Sequence, residues 1–447
     1  MRKGETALQF AGIDIGTTTI SAVVLDDAEN RLLDSITVEN GSFIHTENDW
    51  ERIQNVEIII RKAREVLDQL LESYPEIASI GLTGQMHGIV YLNSEGEAES
   101  PLYTWQDQRG NLPEKGKTLT ECIYEKTGLK AATGYGLVTH LYQSMHGLVP
   151  KEARKICTIP DYLGMQLTGR KTPLVHISMA ASMGFFNART MRFETEKLKD
   201  MGADPAVLPE VAEDFEILGT YRGKPVTVAL GDNQASFLGS VGMKKNTLLL
   251  NVGTGSQLSV LSDQYFETDG IEARPLAKGT YLLAGSSLCG GRAYAILESF
   301  FRQYMEEAGY GKESQYAVLN RLALKGAEKR KEDRLAVDTR FQGTRSDPSV
   351  RGSISNLSED NFSPAGLTYG ILEGISRELY GFYEKIQAGT QIGAEKLVAS
   401  GNGARRNQIL QEIFSEMFHA KLELARYEEE AACGASLTWK LAREMQN

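Results

Sequence analysis

Several features that would place this chain in a metal, membrane or nucleic-acid class are missing. The 447 residues include four cysteines, Cys122, Cys157, Cys289 and Cys433, and none forms a C-x-x-C pair. Neither a zinc site nor a disulfide framework is therefore indicated, and a reduced cytoplasm is the expected setting. The six histidines form no H-x-x-x-H spacing. No apolar run approaches the roughly 18 residues of a membrane span, and MRKGETALQF is followed by neither a signal-peptide core nor a cleavage pattern. Positive charge is also scarce: 48 Lys and Arg against 59 Asp and Glu leave a net charge of -11. That balance argues against a nonspecific grip on nucleic acid or anionic lipid, which needs a basic face. No G-x-x-x-x-G-K-[ST] occurs, so a Walker A phosphate loop is excluded.

Glycine is what the chain has in excess, 44 residues in all. Such an excess points to tight turns and to backbones that approach something closely. With 41% hydrophobic and 24% charged residues the composition is otherwise ordinary for a globular protein. The length gives a prior of about three domains, with two as common for large α/β units. An internal echo favours two. Residues 12–26, GIDIGTTTISAVVLD, and residues 249–263, LLNVGTGSQLSVLSD, align at a constant offset of 237, pairing Gly16 with Gly253 and Thr17 with Thr254. Each reads as strand, Gly-Thr turn, strand; two related halves explain this, and so does a coincidence between two hairpins.

The rest alternates in an α/β manner. NDWE from Asn48 predicts a helix start, and Ile53, Val56, Ile59, Ile60, Ala63, Val66, Leu67 and Leu70 continue it to Pro75. Short apolar runs at Ile77 to Leu82, Val226 to Leu230 and Leu397 to Ser400 predict strands, each ending in a glycine turn. Ligands of open α/β sheets bind at such carboxyl ends. Ser363-Pro364 predicts another helix start. EKRKEDR, from Glu328, reads as a solvated face, and the polar stretch Tyr221 to Pro225 as the boundary between a domain of residues 1–223 and one of residues 224–447.

Three places carry chemistry. Asp14-Ile15-Gly16-Thr17-Thr18-Thr19 offers amides and hydroxyls to a phosphate chain and a carboxylate to hydrated Mg²⁺; its plainer alternative is a threonine-rich turn. The second Gly-Thr turn, Gly253-Thr254, favours the phosphate reading. Asp232, after a buried strand, is placed to take a proton from a hydroxyl or simply to cap a helix. His87, in a polar turn, either meets a ligand or bonds a backbone carbonyl.

GIDIGTTTIS, GLTGQMHG, GDNQAS, NVGTGSQ and SGNGARRNQ, in this order, resemble the FGGY carbohydrate kinases, as does FQGTRSDPSVRGSISNLSEDNFSPAGLTYGILEG from Phe341. The resemblance implies two actin-like, ribonuclease H-like α/β domains with ATP and a sugar in the cleft between them, and no nucleic-acid or membrane partner. A homodimer is compatible with it. Carried over by motif, Asp232 is the base, Asp14 holds Mg²⁺, and Thr17, Thr18, Thr19, Gly253 and Thr254 cradle the phosphates. Gly403, Asn407 and Gly291 fall to the nucleotide, while Met86, His87, Trp105, Asp107, Asp232 and Asn233 line the sugar pocket. For Asp107 the alternative is a local ion pair with Arg109.

Within the family, the stretches Gly84 to Val90, Thr104 to Arg109, Thr133 to Thr139 and Ala180 to Asn187 resemble the sedoheptulokinases. They imply sedoheptulose as substrate and sedoheptulose 7-phosphate as product. The third stretch departs at Leu137-Val138 from small or polar residues, and Asn233 with GQMHG is xylulokinase-like, which implies D-xylulose and xylulose 5-phosphate instead. Readings from other classes are a phosphohydrolase on the same fold and a silent sugar sensor.

Overall fold

A computed structural model describes residues 8–446 apart from 29–30, 115 and 346; residues 1–7, which begin the leader reading, lie outside the described residues. The chain divides into two compact units. One is Met1–Gly242 with Arg274–Gly279 and Glu429–Asn447, and the other is Met243–Ala273 with Thr280–Glu428. The stretch Tyr221 to Pro225 lies inside the first unit, in a turn between two paired strands.

In the first unit β1 (Gln9–Ile15), β2 (Thr19–Asp26) and β3 (Arg31–Glu39) form an antiparallel meander. β4 (Ile77–Gly84) runs parallel to β1, followed in the chain by β5 (Ile217–Tyr221), β6 (Lys224–Thr227) and β7 (Leu230–Gly231). The sheet order is β5-β6-β4-β1-β2-β3, with β7 also pairing β4. β1, β2 and β4 are almost wholly buried and read as apolar runs, as strands covered on both faces do. β3 alternates with exposed residues, as suits an edge. The expected strand Val226 to Leu230 is broken in two, because Val228 and Ala229 fall out of pairing between β6 and β7.

Helix α1 (Val56–Ser73) buries the expected apolar stripe but begins later than Asn48. Ile53–Gln54 pairs antiparallel with Leu102–Tyr103, and Asn55 provides the cap, its side chain accepting from Ile58 N at 3.0 Å. Two further helices matter for the site: α2 (Ile177–Ser182) and α3 (Asp232–Ser240). The helix Glu430–Ser436 packs backbone to backbone on the sheet and on α3. A Cβ on Gly12 would lie 1.9 Å from Ala432 O, one on Gly81 1.8 Å from Ala435 O, and one on Gly434 1.8 Å from Ala235 O. Part of the glycine excess is thus spent on bringing backbones of the first unit together.

The second unit contains β8 (Thr247–Val252), β9 (Ser256–Ser262), β11 (Thr280–Ser287), β12 (Lys396–Ser400) and β13 (Lys421–Leu424), in the order β11-β9-β8-β12-β13, while β10 (Ile271–Ala277) begins in this unit and from Arg274 on belongs to the first. β8 pairs antiparallel with β9 and β9 with β11, while β8 pairs parallel with β12 and β12 with β13. That repeats the directions of β1, β2, β3, β4 and β6. The internal echo is therefore a structural repeat, with the two Gly-Thr turns in equivalent hairpins. Among the helices, α4 (Gly291–Glu307), α5 (Pro364–Thr390), α6 (Gly401–Arg405) and α7 (Gln408–Phe418) follow the strands. Ser363 caps α5 as expected, accepting from Gly366 N at 3.1 Å, with Pro364 in its first turn. In the EKRKEDR stretch only Lys331–Asp333 is helical, as one 3₁₀ turn without buried residues.

Candidate active site

Strand β1 ends by delivering Asp14 and the turn at Gly16. The turn is tight: a Cβ on Gly16 would lie 2.8 Å from Thr19 O. Asn40 braces it, its Nδ2 donating to Gly16 O at 2.8 Å and its backbone N to Thr18 O at 2.8 Å. Thr17 is tied into the protein, since its carbonyl accepts from Gln54 Nε2 at 2.9 Å and its hydroxyl from the Trp105 indole at 3.0 Å. Trp105 remains 47% exposed, and Thr18 and Thr19 are exposed. The structure thus brings Trp105 to the first Gly-Thr turn, a link that sequence separation conceals.

Strand β4 leads into Met86 and His87. Met86 is buried, while half-buried His87 has φ +73, a left-handed conformation unusual for a residue with a side chain. Ser182, closing α2, holds it: the His87 backbone N donates to Ser182 Oγ at 3.0 Å, and Nδ1 lies 2.7 Å from Ser182 O. A carbonyl only accepts, so Nδ1 carries a proton. The backbone-carbonyl alternative for His87 is therefore real, and it orients the ring. Tyr135 stacks on that ring at 4.8 Å and 7°. Its neighbour Gly134 allows the approach, because a Cβ there would lie 1.8 Å from Trp105 O.

Strand β7 runs into α3, whose first residue is Asp232. Gly231 is the cap position, so the helix-capping alternative for the Asp232 side chain does not apply. Gly231 N donates to Ser178 Oγ at 2.9 Å, and Ser178 Oγ in turn lies 2.8 Å from His176 Nδ1. Since Nδ1 also accepts from Ser178 N, the serine hydroxyl donates to it, and burial pushes His176 down to about 3, keeping the ring neutral. Helix α2 thus positions both His87 and the start of α3. The Asp232 Oδ1 accepts from Asn233 Nδ2 at 2.8 Å; Asn233 Oδ1 accepts from Arg274 Nη1 at 3.0 Å; and Asn233 Nδ2 lies 3.9 Å from Met86 Sδ. Burial raises the Asp232 carboxyl, and the Asn233 amide and the Arg274 cation oppose the rise.

Asp14 faces Asp232 and Glu429. Burial first, then these two carboxylates, push its carboxyl up to about 7. Glu429 also accepts from the Thr37 hydroxyl at 3.3 Å. Among the described residues no group of three or more metal-ligating side chains is gathered tightly enough to hold an ion alone. A cation that keeps most of its water and takes one carboxylate, as Mg²⁺ does, fits this donor set.

Asp107 has a different setting. It is fully buried, its Oδ1 accepting from Arg109 Nε at 2.6 Å and its Oδ2 from Arg109 Nη2 at 2.9 Å and from Arg52 N at 3.0 Å. The local ion pair is thus present, bidentate and buried, with the Arg109 guanidinium 4.5 Å from the Tyr103 ring centre. Asp107 braces the loop that carries Trp105.

In the second unit, Gly291 N donates to Gly253 O at 2.9 Å, bringing the start of α4 to the second Gly-Thr turn. Asn251, in the position equivalent to Asp14, donates to Ser400 Oγ at 2.8 Å and so ties this turn to the end of β12. The Gly253 Cβ direction is open but for Asn251 Oδ1 at 3.9 Å, and Thr254 is exposed. A Cβ on Gly403 would lie 2.8 Å from Val252 O, so that glycine's missing side chain serves the packing of α6 on β8. Asn407 caps α7, its Oδ1 accepting from Leu410 N at 3.0 Å, and is 6% exposed.

Two actin-like sheets, each with a strand-turn-strand hairpin at a Gly-Thr turn, define an actin-like ATPase fold, with a carboxylate-bearing helix start in the first unit. More narrowly, the chain belongs to the FGGY family of carbohydrate kinases: residues 10–239 match its N-terminal domain and residues 248–439 its C-terminal domain. The chain is therefore a sugar kinase of the ATP-using type. It is 27% identical to a sedoheptulokinase from Homo sapiens, over 95% of this chain and 96% of that one. Its fold is shared with a gluconate kinase from Lactobacillus acidophilus (TM-score 0.81, 19% identity, 98% of this chain and 90% of that one). It is shared likewise with a xylulose kinase from Rhodospirillum rubrum (TM-score 0.82, 19% identity, 97% and 90%). Among the described residues no helix is long and apolar enough to cross a membrane.

Sequence reasoning missed Arg274, Glu429, Tyr135 and Ser182 as parts of this region. Arg274 left a weak signal, an arginine followed by the apolar run Pro275 to Ala277; Tyr135 and Ser182 lay within stretches already singled out for resemblance. Glu429 sits in an acidic run that gave no pointer of its own.

Proposed function

We propose that the protein transfers the γ-phosphoryl group of ATP to the terminal hydroxyl of a ketose, sedoheptulose first, giving sedoheptulose 7-phosphate. The observation that carries this reading is the convergence of Asp232, Asn233, Met86 and His87 in the first unit. It is supported by the likeness to a sedoheptulokinase along nearly the whole length of both chains. Asp232 accepts the proton of the attacking hydroxyl, with Asn233 holding one of its oxygens. His87, Met86 and Trp105 receive the sugar, and Asp107 acts through the Trp105 loop. Thr17, Thr18 and Thr19 in one unit and Gly253 and Thr254 in the other each offer donors suited to phosphate. Gly291, Gly403 and Asn407 belong to the nucleotide side. Gly403 and Asn407 act there as framework, holding α6 and α7. Asp14 would hold Mg²⁺ through water, and the ion would neutralise phosphate charge during transfer.

D-xylulose is the second reading, favoured by the polar Asn233 beside Asp232. The test is ADP release measured over sedoheptulose, D-xylulose, D- and L-ribulose, D-fructose and glycerol. The expected order of kcat/KM has sedoheptulose first and D-xylulose second; a clear preference for ribulose or glycerol contradicts the assignment.

A further inference from the structure

We propose that Arg274 is a positioning residue for phosphoryl transfer: by fixing the Asn233 amide it commits one oxygen of Asp232 to Asn233 and leaves the other for the sugar proton. The inference rests on the reading of Asp232 as the base.

An arginine has donors and no acceptor. With Arg274 Nη1 at 3.0 Å, the Asn233 carbonyl must face Arg274, so its NH₂ must face Asp232, where Nδ2 donates to Oδ1 at 2.8 Å. Without the guanidinium the amide is free to flip and set its carbonyl oxygen against the carboxylate, acceptor on acceptor. Arg274 therefore decides which Asn233 rotamer serves the base. Its own place is secured by neighbours in the first unit. Gln234 Nε2 donates to Pro275 O at 3.0 Å, Lys278 N to Asp214 Oδ1 at 2.9 Å, and Lys278 Nζ pairs with Glu213 at 2.8 Å. Ala273, Pro275, Leu276 and Ala277 are buried around it. A half-buried guanidinium between buried Ala273 and Pro275 is costly unless its donors are used.

The experiment is sugar-dependent ADP release by the full chain with Arg274→Ala, Arg274→Lys, Asn233→Ala and the Arg274→Ala/Asn233→Ala pair, each checked by thermal melting. Serial action predicts that R274A and N233A each lower kcat about tenfold or more with KM for ATP nearly unchanged, and that the double variant falls little below the worse single one. Guanidinium at sub-denaturing concentration is expected to restore turnover to R274A but not to the double variant. Wild-type kcat in R274A, or single effects that multiply in the double variant, would overturn the proposal. Should R274A not fold, R274K carries the same cycle: its loss is expected to vanish on an N233A background, and independence there overturns the proposal. If the wild type releases no ADP in response to sugar, the kinase reading itself fails, a result distinct from an active wild type that ignores Arg274.

Discussion

At the scale of residues, the proposed function rests on two carboxylates, Asp232 and Asp14, and their surroundings set them apart. Asp232 receives an amide hydrogen bond and feels a guanidinium, both of which favour its ionised form against burial. Replacing it with Asn removes the base but keeps the shape. D232N is expected to lower kcat by about 10²–10⁴-fold, with an unchanged melting temperature and retained ATP binding by calorimetry. Asp14 is buried as well but lacks that relief, and burial with two like charges pushes its carboxyl up to about 7 from an ordinary 3.8. The unfolded chain ionises this group first as pH rises, so the folded state binds the extra proton and loses stability from about pH 4 to about pH 7. Melting curves without metal should therefore fall over that interval. Asp14→Asn should remove this part of the decline while abolishing turnover, and Mg²⁺ should stabilise the wild type more at pH 8 than at pH 5.

At the scale of elements, the strands that end in glycine turns were legible because burial on both faces leaves an apolar run and the turn then breaks it. Asp14 lies at the end of such a strand, and His87 and Asp232 follow such strands. The start of α1 was not legible at Asn48, since the same local signs of a helix cap occur before Ile53–Gln54 is drawn into pairing with Leu102–Tyr103. Arg274 lies 41 positions beyond Asn233 and meets it only through tertiary structure. The same holds for Glu429, brought to Asp14 by the return of the chain end to the first unit. That return depends on glycine. Gly434→Val would drive a side chain into the Ala235 carbonyl of α3, and a loss of about 3 kcal/mol or more is expected in urea unfolding. An unchanged midpoint would show that the helix Glu430–Ser436 shifts without cost.

At the scale of the whole molecule, the doubled sheet explains the internal echo, and its two hairpins diverge where chemistry differs: Asp14 in one, Asn251 in the other. An acidic chain that takes a polyanion must offer local complementarity, and the proposed function assigns this to turn amides, threonine hydroxyls and a metal at Asp14 rather than to a basic patch. The most direct measurement is ADP formation by the purified wild type with ATP and Mg²⁺, with and without sedoheptulose. Sugar-dependent ADP, equal in amount to sedoheptulose 7-phosphate and abolished by EDTA, is the predicted result. Phosphate release at the same rate without sugar would contradict it.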